Sequence, residues 1–294
     1  MKEALAFDDV LLAPQYSQIE SRKDVDLNQR LDSNIELKIP IISSPMDTIT
    51  EVKMASTMSD MGGLGIIHRY NSIEAQAAMV HDAVMKGASN VGGAIGVVGD
   101  FEERAKALYN AGAKIICLDV AHGHHILMER ALKTLRDIYD KDVHLMAGNV
   151  ATLEAFNDLA DWGADSIRCG IGSDRDAKII IDGGLKNSGD IVKALAAGCD
   201  FVMLGSLLAG TTESPGEIIT YTDGSKRKAY RGMASKKAQE NWRGRCGSPE
   251  GITTTVHYKG SVKYVLKELR TKVRFLRQTN AARFESSPHI LDRN

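Results

Sequence analysis

Eight short apolar runs, amphipathic stretches between them, and a polar residue or glycine closing each run predict an α/β fold. The fold class is a closed (β/α)8 barrel of the TIM type, with a lid or flap excursion after strand eight. The runs are continuous rather than alternating, as in strands buried on both faces of a parallel sheet. Strand-then-helix order, carried to eight strands, favours closure over an open doubly wound sheet. That rival predicts a GxGxxG turn near the start, and the sequence has none there.

The runs are IPIISSPMD from Ile39, GLGIIHR from Gly63, NVGGAIGV from Asn90 and IICLDVAHG from Ile115. VHLMAGNVAT from Val143, SIRCGIG from Ser166, KIIIDGG from Lys178 and FVMLGSLLAG from Phe201 complete the set. Helices are predicted over Glu51–Met61 and Asn71–Lys86, the second opened by Asn71 and Glu74 at capping-box spacing. Asp100 and Glu103 repeat that spacing before a helix ending near Gly112. Leu153–Trp162 and Ser188–Ala197 follow, closed by Gly163 and Gly198 as C-cap signals. One interval is short: only GSDRDA separates strands six and seven. A parallel crossover is expected to need about ten to twelve residues. Either the two are not both barrel strands or chain is missing at this junction; missing chain is the preferred reading. Residues 214–260, rich in Gly, Lys, Arg and Thr, are expected to pass over the barrel mouth as a lid. Ser261–Arg277 reads as a basic helix closing the outer ring, and the polar tail from Gln278 as an arm or partner-binding segment. Residues 1–294 are thus expected to form a single barrel domain.

Composition narrows the classes. An apolar content of 43% over 294 residues supports one large core. A net charge of −1 gives no electrostatic case for nucleic acid or a membrane surface. No apolar run approaches the ~18 residues of a membrane span. MKEALAFDDVLLAP lacks a continuous apolar core, so no signal peptide is expected. Cys117, Cys169, Cys199 and Cys246 show no CxxC or zinc spacing and read as reduced thiols of a cytoplasmic protein.

In barrels of this kind the active site lies at the C-terminal strand ends. That rule selects Ser44, Met46, Asp47, Thr48, His68, Arg69, Asp119, His122, Asn149, Gly170, Gly172, Asp182, Gly183, Gly184, Gly205 and Ser206. The DGG of strand seven and the LGS of strand eight are the sharpest pair. Glycines let backbone N–H groups approach an anion, and Ser188–Gly189–Asp190 opens a helix whose dipole favours phosphate. Either motif alone reads as a tight turn; on adjacent strands they point to a nucleotide 5′-phosphate. Asp182 then accepts from ribose hydroxyls or, in the plainer reading, caps a helix. His122, His124 and His125 lack a second ligand set at metal spacing and read as solvent-facing or capping residues. Cys169 reads as a small buried hydrophobe. On physics alone Glu250 is a surface charge.

Taken together, FDDVLLAP, SSPMDT, GGLGIIH, LDVAHGH, AGNVAT, GADSIRCGIG, IIIDGG, SGDIVKALAAGCDFVMLGSLLAGTTESPGE, YRGM and EGI…YKG resemble the IMP dehydrogenase/GMP reductase family, in family order through most of the chain. The resemblance implies a purine nucleotide held by Asp182, Gly183, Gly184, Gly205 and Ser206, with Tyr230 on the phosphate. Ser44, Met46, Gly232, Met233 and Gly251 would line the rest of the substrate site. Asp119, Val120, Ala121, Asn149 and Gly170 would line the nicotinamide side, and the carbonyls of Gly170 and Gly172 would hold potassium. Glu250 matches the lid glutamate that works with a loop threonine. The family's nucleophilic cysteine and that threonine sit just after the strand-six GIG, where this sequence runs directly into SDRDAKIII. More chain is also expected near Arg274, between KVR and FLRQTN.

The reductase branch is suggested by several features. No CBS modules follow strand two, and MASKKAQENWRGRCGSPEGI lacks the dehydrogenase's water-activating Arg-Tyr pair. Ser21–Arg22, implied to reach a neighbouring subunit's cofactor, Arg69 and LDVA also resemble it; MDTITE and GGLGIIH look like the dehydrogenase. The implied activity is NADPH-dependent reductive deamination of GMP to IMP and ammonia through a cysteine–purine intermediate, in a homotetramer. The alternatives are IMP dehydrogenase, which would use NAD, and a catalytically dead nucleotide-binding barrel if the strand-six loop is truly deleted.

Overall fold

A computed structural model describes residues 6–14, 16–169, 177–233, 253–279 and 290–292. The elements run β1 Val10–Leu12, β2 Gln29–Arg30, β3 Glu36–Leu37, β4 Ile41–Ser43, α1 Val52–Asp60, β5 Leu64–Ile67, α2 Ile73–Met85 and β6 Val91–Ile95. Then come α3 Phe101–Asn110, β7 Ile115–Asp119, α4 Ile126–Tyr139, β8 His144–Val150, α5 Leu153–Asp161 and β9 Ser166–Cys169. The last are β10 Lys178–Asp182, α6 Ser188–Ala196, β11 Phe201–Leu204, β12 Ile219–Thr220, β13 Lys226–Arg231, β14 Thr253–His257, α7 Val262–Thr279 and β15 Ile290–Asp292. Strands β4 to β11 pair in parallel and close on themselves, β11 beside β4. Each of the eight apolar runs supplies one barrel strand.

The barrel interior is filled by side chains such as Ile42, Leu64, Ile66, Met146, Phe201 and Met203. Leu31, Ile35 and Leu37, from the β2–β3 hairpin, join this cluster and plug the barrel's N-terminal end. His144 pins the plug from below: its Nδ1 lies 2.8 Å from Asp32 Oδ2 and its Nε2 2.8 Å from Ser166 Oγ. The outer ring buries helix faces such as Met54, Ala55 and Met58 of α1.

Strands six and seven, β9 and β10, are both barrel strands, paired from Lys178 against Ser166 to Ile181 against Cys169, which removes the alternative that they are not. The link is residues 170–177. Residues 170–176 of it lie outside the described residues, and with them the preferred reading that chain is missing here. Among the described residues every other neighbouring pair of barrel strands has a helix between them in sequence. Asn71 and Asp100 do not close capping boxes. Ser72 Oγ caps α2 instead, accepting from Ala75 N. Asp100 lacks the extended backbone a cap needs, so its carboxylate binds Arg104 Nε (3.1 Å) and Nη2 (2.6 Å). Helix α6 opens at Ser188 as expected, with Asn187 as its cap. Helix α4 was not foreseen; His125 caps it, accepting from Leu127 N. The lid region contains β12, β13 and β14 as an antiparallel sheet, and residues 234–252 lie outside the described residues. Helix α7 packs between α6 and α1, as the basic helix was expected to do. Among the described residues no helix is long and apolar enough to cross a membrane.

Candidate active site

The site is built where the strands end. At the close of β10, Gly183 (φ +98°) and Gly184 (φ +74°) take left-handed backbone that lets the chain turn tightly beside Asp182. The α6 cap follows, with Asp190 buried and accepting from Lys186 N and Asn187 Nδ2. At the close of β11, Gly205 is the meeting point of the expected substrate residues. A Cβ there would stand 3.2 Å from Ser44 Oγ, 3.2 Å from Met46 Sδ and 3.6 Å from the Tyr230 hydroxyl. Ser44 is fixed by donating Oγ–H to Leu204 O at 3.2 Å. Tyr230 reaches in from β13; burial and the Asp182 charge push its phenol up. Met233 comes back over the mouth, its Sδ accepting from Asp47 N at 3.4 Å. Ser206 is exposed beside Gly205, and its carbonyl accepts from Lys259 Nζ.

The opposite wall is an ionic network. Arg168, in the middle of β9, donates through Nη1 to Asp119 Oδ1 (2.7 Å) and through Nη2 to Asp182 Oδ2 (2.9 Å). Asn149 sits where the β8–β9 register shifts, and its Nδ2 also donates to Asp182 Oδ2 at 2.9 Å. A bulge of this kind re-aims a side chain, here toward the neighbouring strand ends. All of Asp182's hydrogen bonds to described residues fall on Oδ2, so Oδ1 is open to a donor. Burial opposes the charge on Arg168, but Asp119 and Asp182 outweigh it and hold the guanidinium protonated. Arg69 crosses to Asp119 O through Nη2 at 3.2 Å, and Asn149 N donates to Val120 O at 2.9 Å. Ala121 lines an adjoining cavity with His122, His124 and Asn149.

Not every expected residue arrives. Ser21 Oγ caps a short 3-10 turn, and Arg22 lies over the Phe275 ring of α7 at 5.9 Å. Among the described residues neither is joined to the network. Gly170, Gly172, Glu250 and Gly251 lie outside the described residues. His124 Nε2 lies 2.7 Å from Asp158 Oδ2. The sequence reading missed Arg168, the hub of the network, although a charge inside an apolar run was its signal. It also missed Arg231, whose role rests on a partner far away in sequence. The described thiols are buried: burial pushes Cys117 up to about 11 and Cys199 well above the usual thiol range. Cys169 is the small buried side chain it was expected to be.

The profile of the IMP dehydrogenase / GMP reductase domain matches residues 4–174 and 173–275. The chain belongs to the IMP dehydrogenase/GMP reductase family. The two matched segments meet inside the β9–β10 link. This chain is 36% identical to the inosine-5′-monophosphate dehydrogenase of Cryptosporidium parvum, over 91% of this chain and 85% of that protein. It is 30% identical to the inosine-5′-monophosphate dehydrogenase of Nitrosopumilus maritimus over 98% of each chain. That alignment runs over 472 positions against 294 residues here, so at least 178 (472 − 294) fall opposite gaps in this chain. It is also 29% identical to the GMP reductase of Leishmania major, over all of this chain and 98% of that protein. Both activities therefore stand among similar relatives, and membership makes this a purine-nucleotide oxidoreductase fold without choosing between them.

The IMP dehydrogenase/GMP reductase family uses a nicotinamide cofactor. Two buried polar atoms on the Asp119 side have no partner among the described residues, Arg69 Nε and Asn149 Oδ1. An orphaned donor and an orphaned acceptor at one strand-end wall fit a ligand that carries both amide and oxygen groups.

Proposed function

We propose that this protein is a GMP reductase, converting GMP and NADPH to IMP and ammonia. The observation that carries the reading is the flap sequence 234–252, which has no Arg-Tyr pair to activate water. Barrel residues serve both activities, because in this family both share one covalent cysteine–purine intermediate. A dehydrogenase needs a base for water; a reductase needs an acid for the departing ammonia. Glu250 is the carboxyl group assigned to that proton. The glycines after β10 and β11 and the N-terminus of α6 hold the 5′-phosphate, with the Tyr230 hydroxyl beside them. Asp182 Oδ1 accepts from the ribose, and Gly232, Met233 and Met46 hold the base. Asn149, Arg69 and Asp119 orient the nicotinamide, which supplies hydride when NADPH is bound. Potassium on the Gly170 and Gly172 carbonyls, a cytoplasmic homotetramer without CBS modules, and Ser21–Arg22 reaching a neighbouring subunit belong to the same reading. The seat of Arg22 on α7, apart from its own site network, supports that last contact.

One observation favours a second reading. Residues 170–177 contain no cysteine, and the described thiols are too buried to attack a base. A barrel that binds a purine nucleotide without turning it over satisfies both facts. Incubation with GMP and NADPH, incubation with IMP and NAD, and calorimetric titration with GMP separate the cases. The reductase consumes NADPH with GMP. NADH formation from IMP overturns the reductase in favour of the dehydrogenase, and saturable GMP binding without either reaction establishes the second reading.

A further inference from the structure

Two segments far apart in sequence are locked together at the barrel mouth. Arg231, the last residue of β13, donates Nε to Asp47 Oδ1 (3.2 Å) and Oδ2 (3.0 Å), and its Nη2 bonds the same carboxylate. The Asp47 side chain is 5% exposed and that of Arg231 15%. The backbone repeats the join: Arg231 N donates to Thr48 Oγ1, and that hydroxyl donates to Arg231 O, both at 3.4 Å. Asp47 N donates to Met233 Sδ. Earlier in the same strand, buried Lys228 donates Nζ to the carbonyls of Thr211 and Ser214. The root of the flap is thus tied to the loop after β4 at its outer end and to the loop after β11 at its inner end.

We infer that Asp47 and Arg231 form a positioning pair that fixes the flap root over the nucleotide and so sets affinity for it. The inference rests on the purine-nucleotide site proposed above. Met46 precedes Asp47, while Tyr230, Gly232 and Met233 surround Arg231. The pair therefore joins the two walls that close on the ligand, and neither partner needs to touch it. A forked guanidinium–carboxylate contact is directional as well as strong, which suits it to setting orientation. A lysine keeps the charge and loses the fork.

The test uses the full chain and the variants Arg231→Met, Arg231→Lys and Thr48→Ala. Calorimetric titration with GMP is paired with hydrogen exchange over 226–233 and, as reference, 115–119. Arg231→Met is expected to weaken GMP binding about tenfold or more, to speed exchange in 226–233, and to leave 115–119 protected. Arg231→Lys should recover part of both losses. Thr48→Ala, which breaks only the backbone join, keeps the inference testable if Arg231→Met does not fold. It should show the same pattern at smaller size. GMP affinity within about twofold of the parent in a folded Arg231→Met protein overturns the inference, as does unchanged exchange in 226–233. If the parent itself binds no purine nucleotide, the proposed site fails. In that case the exchange arm still reports whether the pair fixes the flap root.

Discussion

Arg168 carries two carboxylates. Its side chain is 6% exposed, and Asp119 and Asp182 on either side are 16% and 17% exposed. Removing one member of such a group leaves the others buried and uncompensated, which costs about 3–5 kcal/mol. Arg168→Met is expected to lose stability on that scale in urea unfolding. Arg168→Lys should restore less than half of it, because one ammonium does not span both carboxylates. A loss under about 1 kcal/mol for Arg168→Met would mean the network is no more than a surface pairing. This residue also marks the limit of reading the site from sequence. Asp182, Gly205, Ser44 and Met46 are legible because they close apolar runs at the strand ends, and the glycine motifs fall on adjacent strands. Arg168 meets Asp119 and Asp182 at separations of 49 and 14 residues, and no local spacing encodes that.

At the level of elements, helix and strand meet most closely at α1 and β5. A Cβ on Gly65 would stand 2.6 Å from Ala55 Cα, and backbone in a helix does not yield as a flexible side chain does. Gly65→Ala is expected to cost about 1–3 kcal/mol, read as a lower thermal midpoint. An unchanged midpoint would show that α1 slides freely on the sheet. The barrel strands were legible because burial on both faces leaves a continuous apolar signature. The flap was not read as a sheet: β13 is KRKAYR, whose charges hide a strand that buries Lys228. Helix α4 was overlooked behind AHGHH, although Met128, Ala131, Leu132, Leu135 and Tyr139 keep a helical period on its buried face.

For the whole molecule, acid tests how the barrel is closed below. Burial raises the Asp32 carboxyl, but the His144 hydrogen bond and the Asn34 and Ile35 N–H groups outweigh it and hold it under the ordinary 3.8. Asp165 is held low in the same way: burial opposes, and His144, Leu145 N–H, Lys141 and Arg136 prevail. Both carboxyls titrate lower folded than unfolded. Their stabilisation is complete above about pH 3.8 and is lost as pH falls through the folded values. Asp32→Asn should therefore flatten the decline of the thermal midpoint below pH 4; a decline parallel to the parent's would remove the plug from the acid response. The plug itself was not legible, because Leu31, Ile35 and Leu37 lie among polar residues and their shared destination is set only by closure. The seam between β9 and β10 has its own consequence. Seven of the barrel's joints are backed by a helix in the described chain, and this one is spanned at its upper end by the Arg168–Asp182 ion pair. That seam is therefore riveted by the same side chains that are proposed to face the nucleotide. A ligand seated on Asp182 is expected to slow solvent isotope uptake along that seam, so occupancy and integrity of the cylinder are read by one clock.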